Sequence, residues 1–288
     1  MSRLPSFVII GAMKSATSTL YEQLLQQPGI FLPELKEPNF FSNDEQYSRG
    51  IEWYQSLFNG AAASDILGEA STHYTKLPTY PQTIARMRNC LDRPRLIYVM
   101  RDPVDRLISQ YVHQWSQGEI QCGLDEALTR HPELIAYSCY ARQLSPFIET
   151  YSKAAILPVF FDRLLADPQG ELERVCRFIG HEDTVAWDEG SSRNNVSAER
   201  IRRFPLYGLL IDNPIAAGLR RGLIPKAVRT RVRRLFSMSE RPSLTEKSTQ
   251  ELQRQLDEDL STLSSWLGTR LNSRNFSAVT AAQSLEWR

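Results

Sequence analysis

Apolar positions along this chain follow two rhythms. Residues 7–10, 96–100 and 155–161 are short runs of large and β-branched side chains with hardly a polar interruption. Such runs mark strands buried on both faces of a sheet. Residues 65–74 start the same way and run into polar residues, and 30–32 form a shorter run. Between these strands the spacing changes to three and four. It predicts helices from Thr17–Thr19 onward, over 51–58, from Pro81 to about Cys90, over 124–130 and over 137–152. After Met100, Arg101 closes the strand, Asp102 is a natural N-cap and Pro103 suits the first helical position, with Leu107, Ile108, Tyr111 and Val112 on one face. After Pro168, the stripe Leu172, Val175, Cys176 and Ile179 ends at Gly180, a C-cap residue. A long amphipathic helix over 244–267 follows, capped by Ser243 or Thr245.

Strands alternating with helices predict a three-layer α/β fold with a mostly parallel central sheet and helices on both faces. No internal repeat or low-complexity linker divides the chain, so one domain over 1–288 is expected, with a basic helical section from about 205.

Composition narrows this little. The chain is 42% apolar and 23% charged with a net charge of +1, so nothing global points to nucleic acid. Cys90, Cys122, Cys139 and Cys176 are scattered, which signals neither a disulfide framework nor a zinc site. No signal peptide and no apolar run of membrane-spanning length is visible, so a cytoplasmic protein is expected. Charge is uneven in one place. Residues 214–236 carry Arg220, Arg221, Lys226, Arg229, Arg231, Arg233 and Arg234 with no acid among them. That run could meet an anionic membrane or polyanion, face a substrate, or simply be solvated.

The chemistry concentrates after the first strand, in GAMKSATST. A strand, a small-residue loop with one lysine and a helix start offer unpaired N–H groups and a positive dipole end to an anion. This is not a Walker loop, because only two residues separate Gly11 from Lys14 and no glycine precedes the lysine. The GxGxxG of a dinucleotide fold is also missing. Ligands of such sheets bind beyond the carboxyl ends of strands, where Lys14, residues 69–73 and Arg101 would meet. Arg101 brings a planar cation suited to phosphate, and Ser109 lies in the second turn of the following helix. Two anion sites result. Glu37 precedes Pro38 and is therefore expected on extended backbone.

GAMKSATST together with YVMRDPVDRLISQY resembles the two nucleotide-binding signatures of sulfotransferases that use 3′-phosphoadenosine 5′-phosphosulfate (PAPS). KEPNFF, YARQL, FFDRLLADP and CRFIG extend the resemblance to about residue 200. It implies the P-loop-NTPase-like sulfotransferase fold, with PAPS as co-substrate and no metal. Lys14, Ser15, Ala16, Thr17, Ser18 and Thr19 would cradle the 5′-phosphosulfate, Arg101 and Ser109 would grip the 3′-phosphate, and Arg193 would be a further 3′-phosphate contact. Lys14 and Glu37 would be catalytic, with His73 a rival base. The heparan-sulfate and carbohydrate branch, in bacterial form, implies a hydroxyl- or amine-bearing acceptor and no nucleic-acid partner. Two departures stand out. Ala16 replaces a common glycine, so the turn should avoid positive φ there, and Ala70 follows Glu69 where that branch places a lysine. Tyr140 and Gln143 could line the site or belong to a helix face. The competing function is a catalytically silent nucleotide-fold module that binds anionic membranes or polyanions through 214–236. A nucleotide kinase is disfavoured by the short loop.

Overall fold

The computed structural model of the protein describes residues 3–190 and 241–288. The basic run 214–236 and Arg193 lie outside the described residues. In chain order the elements are β1 (Phe7–Gly11), α1 (Thr17–Leu25), β2 (Ile30–Phe31), α2 (Asp44–Ser48), α3 (Ile51–Ser56), β3 (Ile66–Ala70), α4 (Thr83–Cys90), β4 (Arg95–Met100), α5 (Pro103–Gln117), α6 (Leu124–Arg130), α7 (Glu133–Ala136), α8 (Tyr140–Tyr151), β5 (Ile156–Phe160), α9 (Phe161–Ala166), α10 (Pro168–Ile179), α11 (Glu246–Leu267) and α12 (Phe276–Ala282).

The strands form one parallel sheet in the order β2-β3-β1-β4-β5. β1 lies at its centre, so all five of its residues are buried. Alternation decides where each side chain goes. Val8, Ile10, Leu96, Tyr98 and Met100 enter the layer formed with Met87 of α4, Leu144 and Phe147 of α8, and Leu260 and Leu263 of α11. Phe7, Ile9, Ile97 and Val99 enter the opposite layer, against Leu20 and Leu24 of α1 and Leu172, Val175 and Ile179 of α10. A third cluster joins Leu107 and Tyr111 of α5 to Leu124 of α6, Leu134 of α7, and Leu252 and Leu256 of α11. The expected three-layer α/β arrangement is thus observed.

Two sequence details explain themselves in this sheet. Pro158 is tolerated inside β5 because β5 is an edge strand, where a missing N–H breaks no second ladder. Gly68 is required because a Cβ there would lie 2.0 Å from Cζ of Phe7 across the β1–β3 pair.

The elements differ from the sequence reading in places. The strand expected over 65–74 stops at Ala70 and gives way to a 3-10 turn over Thr72–Thr75. The helix expected over 137–152 is preceded by a separate short α7, and α2, α9 and α12 carry too short a periodic signal to be read. The long C-terminal helix is capped by Thr245, whose hydroxyl accepts from the Ser248 N–H. Among the described residues, no helix is long and apolar enough to cross a membrane.

Candidate active site

The carboxyl end of β1 delivers a tight loop. The Ala12 N–H donates to the Val99 carbonyl at 2.8 Å and the Ser15 N–H to the Ala12 carbonyl at 3.2 Å. Lys14 (φ 70°) and Ala16 (φ 65°) both occupy the left-handed region. The sequence expectation that Ala16 avoids positive φ is therefore wrong. Leu20 and Leu24 anchor α1 in the core, so the chain must reverse between strand and helix within this loop, and the backbone adopts the left-handed turn despite the Cβ. Ala16 is also the N-cap of α1 and has no side chain to cap it, which leaves the positive end of the helix open. The Ser15 side chain is fully buried and its Oγ has no hydrogen-bond partner among the described residues. Gly11 permits the approach of the next layer, since a Cβ there would lie 2.0 Å from Oγ1 of Thr75 and 2.8 Å from the Tyr98 ring.

β4 ends beside this loop. A guanidinium nitrogen of Arg101 donates to the Lys14 carbonyl at 3.4 Å, and the group sits 4.7 Å from the Phe161 ring centroid. Arg101 Nε is buried and has no partner among the described residues. Tyr140 clamps the backbone of Arg101, donating its hydroxyl to the carbonyl at 2.6 Å and accepting from the N–H at 3.3 Å. Ser109 is half-buried on α5, the helix that leaves this point.

The facing wall of this edge is built by β3 and the loop before α2. The Glu37 N–H donates to the Ala70 carbonyl at 3.0 Å, and its carboxylate accepts from the Thr72 N–H at 2.8 Å and the Thr72 hydroxyl at 3.1 Å. Glu37 has φ 57°, so the extended backbone expected before Pro38 is not what forms; the turn aims the carboxylate at the 3-10 segment. Lys36 donates to Ser18 Oγ at 2.9 Å and lies 3.4 Å from Glu37, tying this loop to the first turn of α1. His73 stacks on Tyr80, with ring centroids 4.9 Å apart, and its Nδ1 is buried without a partner among the described residues. Burial, helped by the nearby charge of Lys76, pushes His73 down to about 4. Below this surface, Glu69 is fully buried and accepts from Tyr74 at 2.7 Å, Tyr54 at 2.9 Å and Ser71 at 2.9 Å. Burial raises its carboxyl to about 7, although the three hydroxyls pull the other way.

The structure thus brings Lys14, Ser15, Ala16, Arg101 and Glu37 to one edge of the sheet, and Thr17, Ser18 and Thr19 form the first turn of α1 there. Tyr140 and Gln143 are both fully buried, and Gln143 bonds the Leu77 backbone in both directions, so they brace the site from within. Sequence reasoning missed Arg106. It is fully buried, donating to Ser138, Gln110 and the Leu134 carbonyl at 2.7–2.8 Å and to the Met13 carbonyl of the loop at 3.4 Å. A signal for it exists: Arg106 and Gln110 sit next to Leu107 and Tyr111 on the apolar side of the helix.

Comparison with known proteins agrees with this geometry. The model of the sulfotransferase domain matches residues 4–264. The mouse heparan sulfate glucosamine 3-O-sulfotransferase 3B1 is 31% identical over 187 residues, covering 62% of this chain and 46% of that protein. The mouse bifunctional heparan sulfate N-deacetylase/N-sulfotransferase 4 is 30% identical over 198 residues, covering 62% of this chain and 22% of the other. The chain therefore matches about half the length, or less, of these curated relatives. Among solved structures, a sulfotransferase from Alicyclobacillus acidocaldarius superimposes with a TM-score of 0.65 at 23% identity over 93% of this chain and 98% of that one. Mouse sulfotransferase SULT7A1, solved in complex with PAP, gives a TM-score of 0.51 at 14% identity over 90% of this chain and 85% of the other. A parallel sheet carrying a lysine loop and an arginine at adjacent strand ends, together with the family match over most of its length, shows that this chain belongs to the sulfotransferase domain family.

Proposed function

We propose that the protein transfers a sulfuryl group from PAPS to a hydroxyl or amine of a carbohydrate-type acceptor. One observation carries this reading: two orphaned buried polar atoms, Ser15 Oγ and Arg101 Nε, flank an uncapped helix start at the end of the central strand. Buried polar groups are ordinarily paired, so these two fit anionic groups of a bound nucleotide. The names of the curated relatives, all heparan sulfate sulfotransferases in the comparisons above, support a carbohydrate acceptor. The PAP complex of SULT7A1 supports the nucleotide. Four free cysteines suit a reducing, cytoplasmic setting.

The donor supplies the activated sulfuryl group. Lys14, Ser15 and the first N–H groups of α1 bind its 5′ end and oppose the negative charge that builds on the phosphate oxygen when the sulfur–oxygen bond breaks. Arg101, Ser109 and Arg193 would hold the 3′-phosphate. On the opposite side, Glu37 takes the proton of the acceptor as its oxygen or nitrogen bonds to sulfur. Thr72 fixes the Glu37 carboxylate, and the Lys36–Ser18 bond sets it relative to α1. His73 is the weaker base, because a group pushed down to about 4 takes up a proton poorly near neutrality.

The test is PAP titration by calorimetry together with transfer of radiolabelled sulfonate to heparan-type oligosaccharides. Lys14→Ala and Arg101→Ala should abolish PAP binding. Glu37→Gln should leave it intact and lower kcat by about 10²- to 10⁴-fold, with His73→Ala far milder. Full activity in the Lys14 and Arg101 variants would sink the reading, and loss of turnover only on changing His73 would reassign the base.

A further inference from the structure

Lys76 ends the 3-10 turn that carries Thr72 and His73, and it is only 9% exposed. Arg106, which is fully buried, donates to four acceptors. The Lys76 ammonium, with three hydrogens to donate, makes no hydrogen bond or ion pair among the described residues. It lies over the face of Tyr137, with the ring centroid 6.0 Å away, at the limit of a cation–π contact. The groups that act on it from the surrounding elements are Glu37 before α2, Arg106 on α5 and Glu119 after α5, and it acts in turn on His73. Burial draws the ammonium down to about 8, and Glu37 and Glu119 only partly restore it against Arg106. The side chain is largely buried while its ammonium tip is not among the buried unpartnered atoms, so it reaches the surface with its donors available to something that arrives from outside.

We propose that Lys76 is an anion-recognising subsite on the acceptor side of the cleft, taking a carboxylate or sulfate oxygen beside Glu37. The subsite rests on the sulfotransferase reading above. Two sources carry that chemistry: an acidic group on the acceptor, and the sulfuryl oxygens during transfer. In either case the ligand is an oxyanion, and the ammonium would supply the charge-assisted donor that its surroundings leave unused.

Lys76→Met keeps the length of the side chain and removes the charge; because a buried unmatched cation is lost, the thermal midpoint should stay level or rise. Lys76→Arg should retain function. The full chain is saturated with PAP and titrated with a uronate-bearing heparan-type oligosaccharide and with its carboxyl-reduced form. If the acceptor supplies the anion, Lys76→Met weakens the uronate-bearing ligand by about ten- to hundredfold and leaves the reduced form unchanged. If the sulfuryl group supplies it, kcat falls by a similar factor with both acceptors and affinity stays level. A measurement that needs no turnover is acetylation of Lys76 by acetic anhydride, read by mass spectrometry. Labelling should slow several-fold in the presence of the oligosaccharide, or of inorganic sulfate against chloride at equal ionic strength. Unchanged labelling with both probes, together with unaltered affinity and kcat in Lys76→Met, overturns the subsite. Failure of the wild-type protein to bind PAP would instead count against the donor reading.

Discussion

Glu69 offers a sharp test of how the Glu37 loop is held. Its carboxyl lies in the core under the Glu37 loop: Ser71, one of its three donors, also accepts from the Asn39 N–H at 3.0 Å, and Tyr54 and Tyr74 pack on Phe40 and Phe41. Burial raises it from the ordinary 4.5 to about 7. Below pH 4.5 both folded and unfolded chains hold the proton, and the contribution to stability is complete. As pH rises from there, the unfolded chain releases its proton first, so stability falls until the pH passes about 7. At 1.36 kcal/mol for each pH unit the loss is about 3 kcal/mol. Glu69→Gln removes this linkage while keeping the shape and most of the hydrogen bonds. Urea unfolding followed by tryptophan fluorescence, repeated from pH 4.5 to 8, should show the variant gaining on the wild type by about 3 kcal/mol across the range. A difference constant to within about 0.5 kcal/mol would mean that Glu69 is already ionised in the native state at pH 5. The three hydroxyl donors would then fully offset burial.

Other perturbations follow from single contacts. Gly68→Ala drives a methyl into the Phe7 ring and should cost about 1–3 kcal/mol in the same unfolding assay. Ala16→Gly relieves a left-handed alanine and should raise stability by about 0.5–1 kcal/mol after the entropy of the unfolded glycine is counted, with PAP affinity by calorimetry unchanged. Arg106→Met strands Ser138, Gln110 and the Leu134 carbonyl in the core and should cost about 3 kcal/mol. It should also weaken PAP binding, because the Met13 carbonyl loses its anchor to α5.

What the sequence determined by itself was the alternation of the main strands and longer helices and the placing of the two cationic motifs just after strand ends. Continuous apolar runs at 7–10 and 96–100 can only be buried strands, and a lysine or arginine just beyond each must then stand at the same edge of a parallel sheet. These are local signals, carried by periodicity and by residues a few positions apart. The tertiary structure decided what depends on residues distant in the chain. Ala16 and Glu37 take positive φ because the packing of α1, the hydrogen bond from the Glu37 N–H to the Ala70 carbonyl and the one from the Thr72 N–H to the Glu37 carboxylate override their local preference. Sequence placed Glu69 at a strand end and passed over Arg106, and only the assembled core shows one with three hydroxyl donors and the other with four acceptors. Lys76 is the extreme case. Its meaning lies in what does not surround it, and no local pattern can state that a largely buried lysine has been left without an ion pair among the described residues.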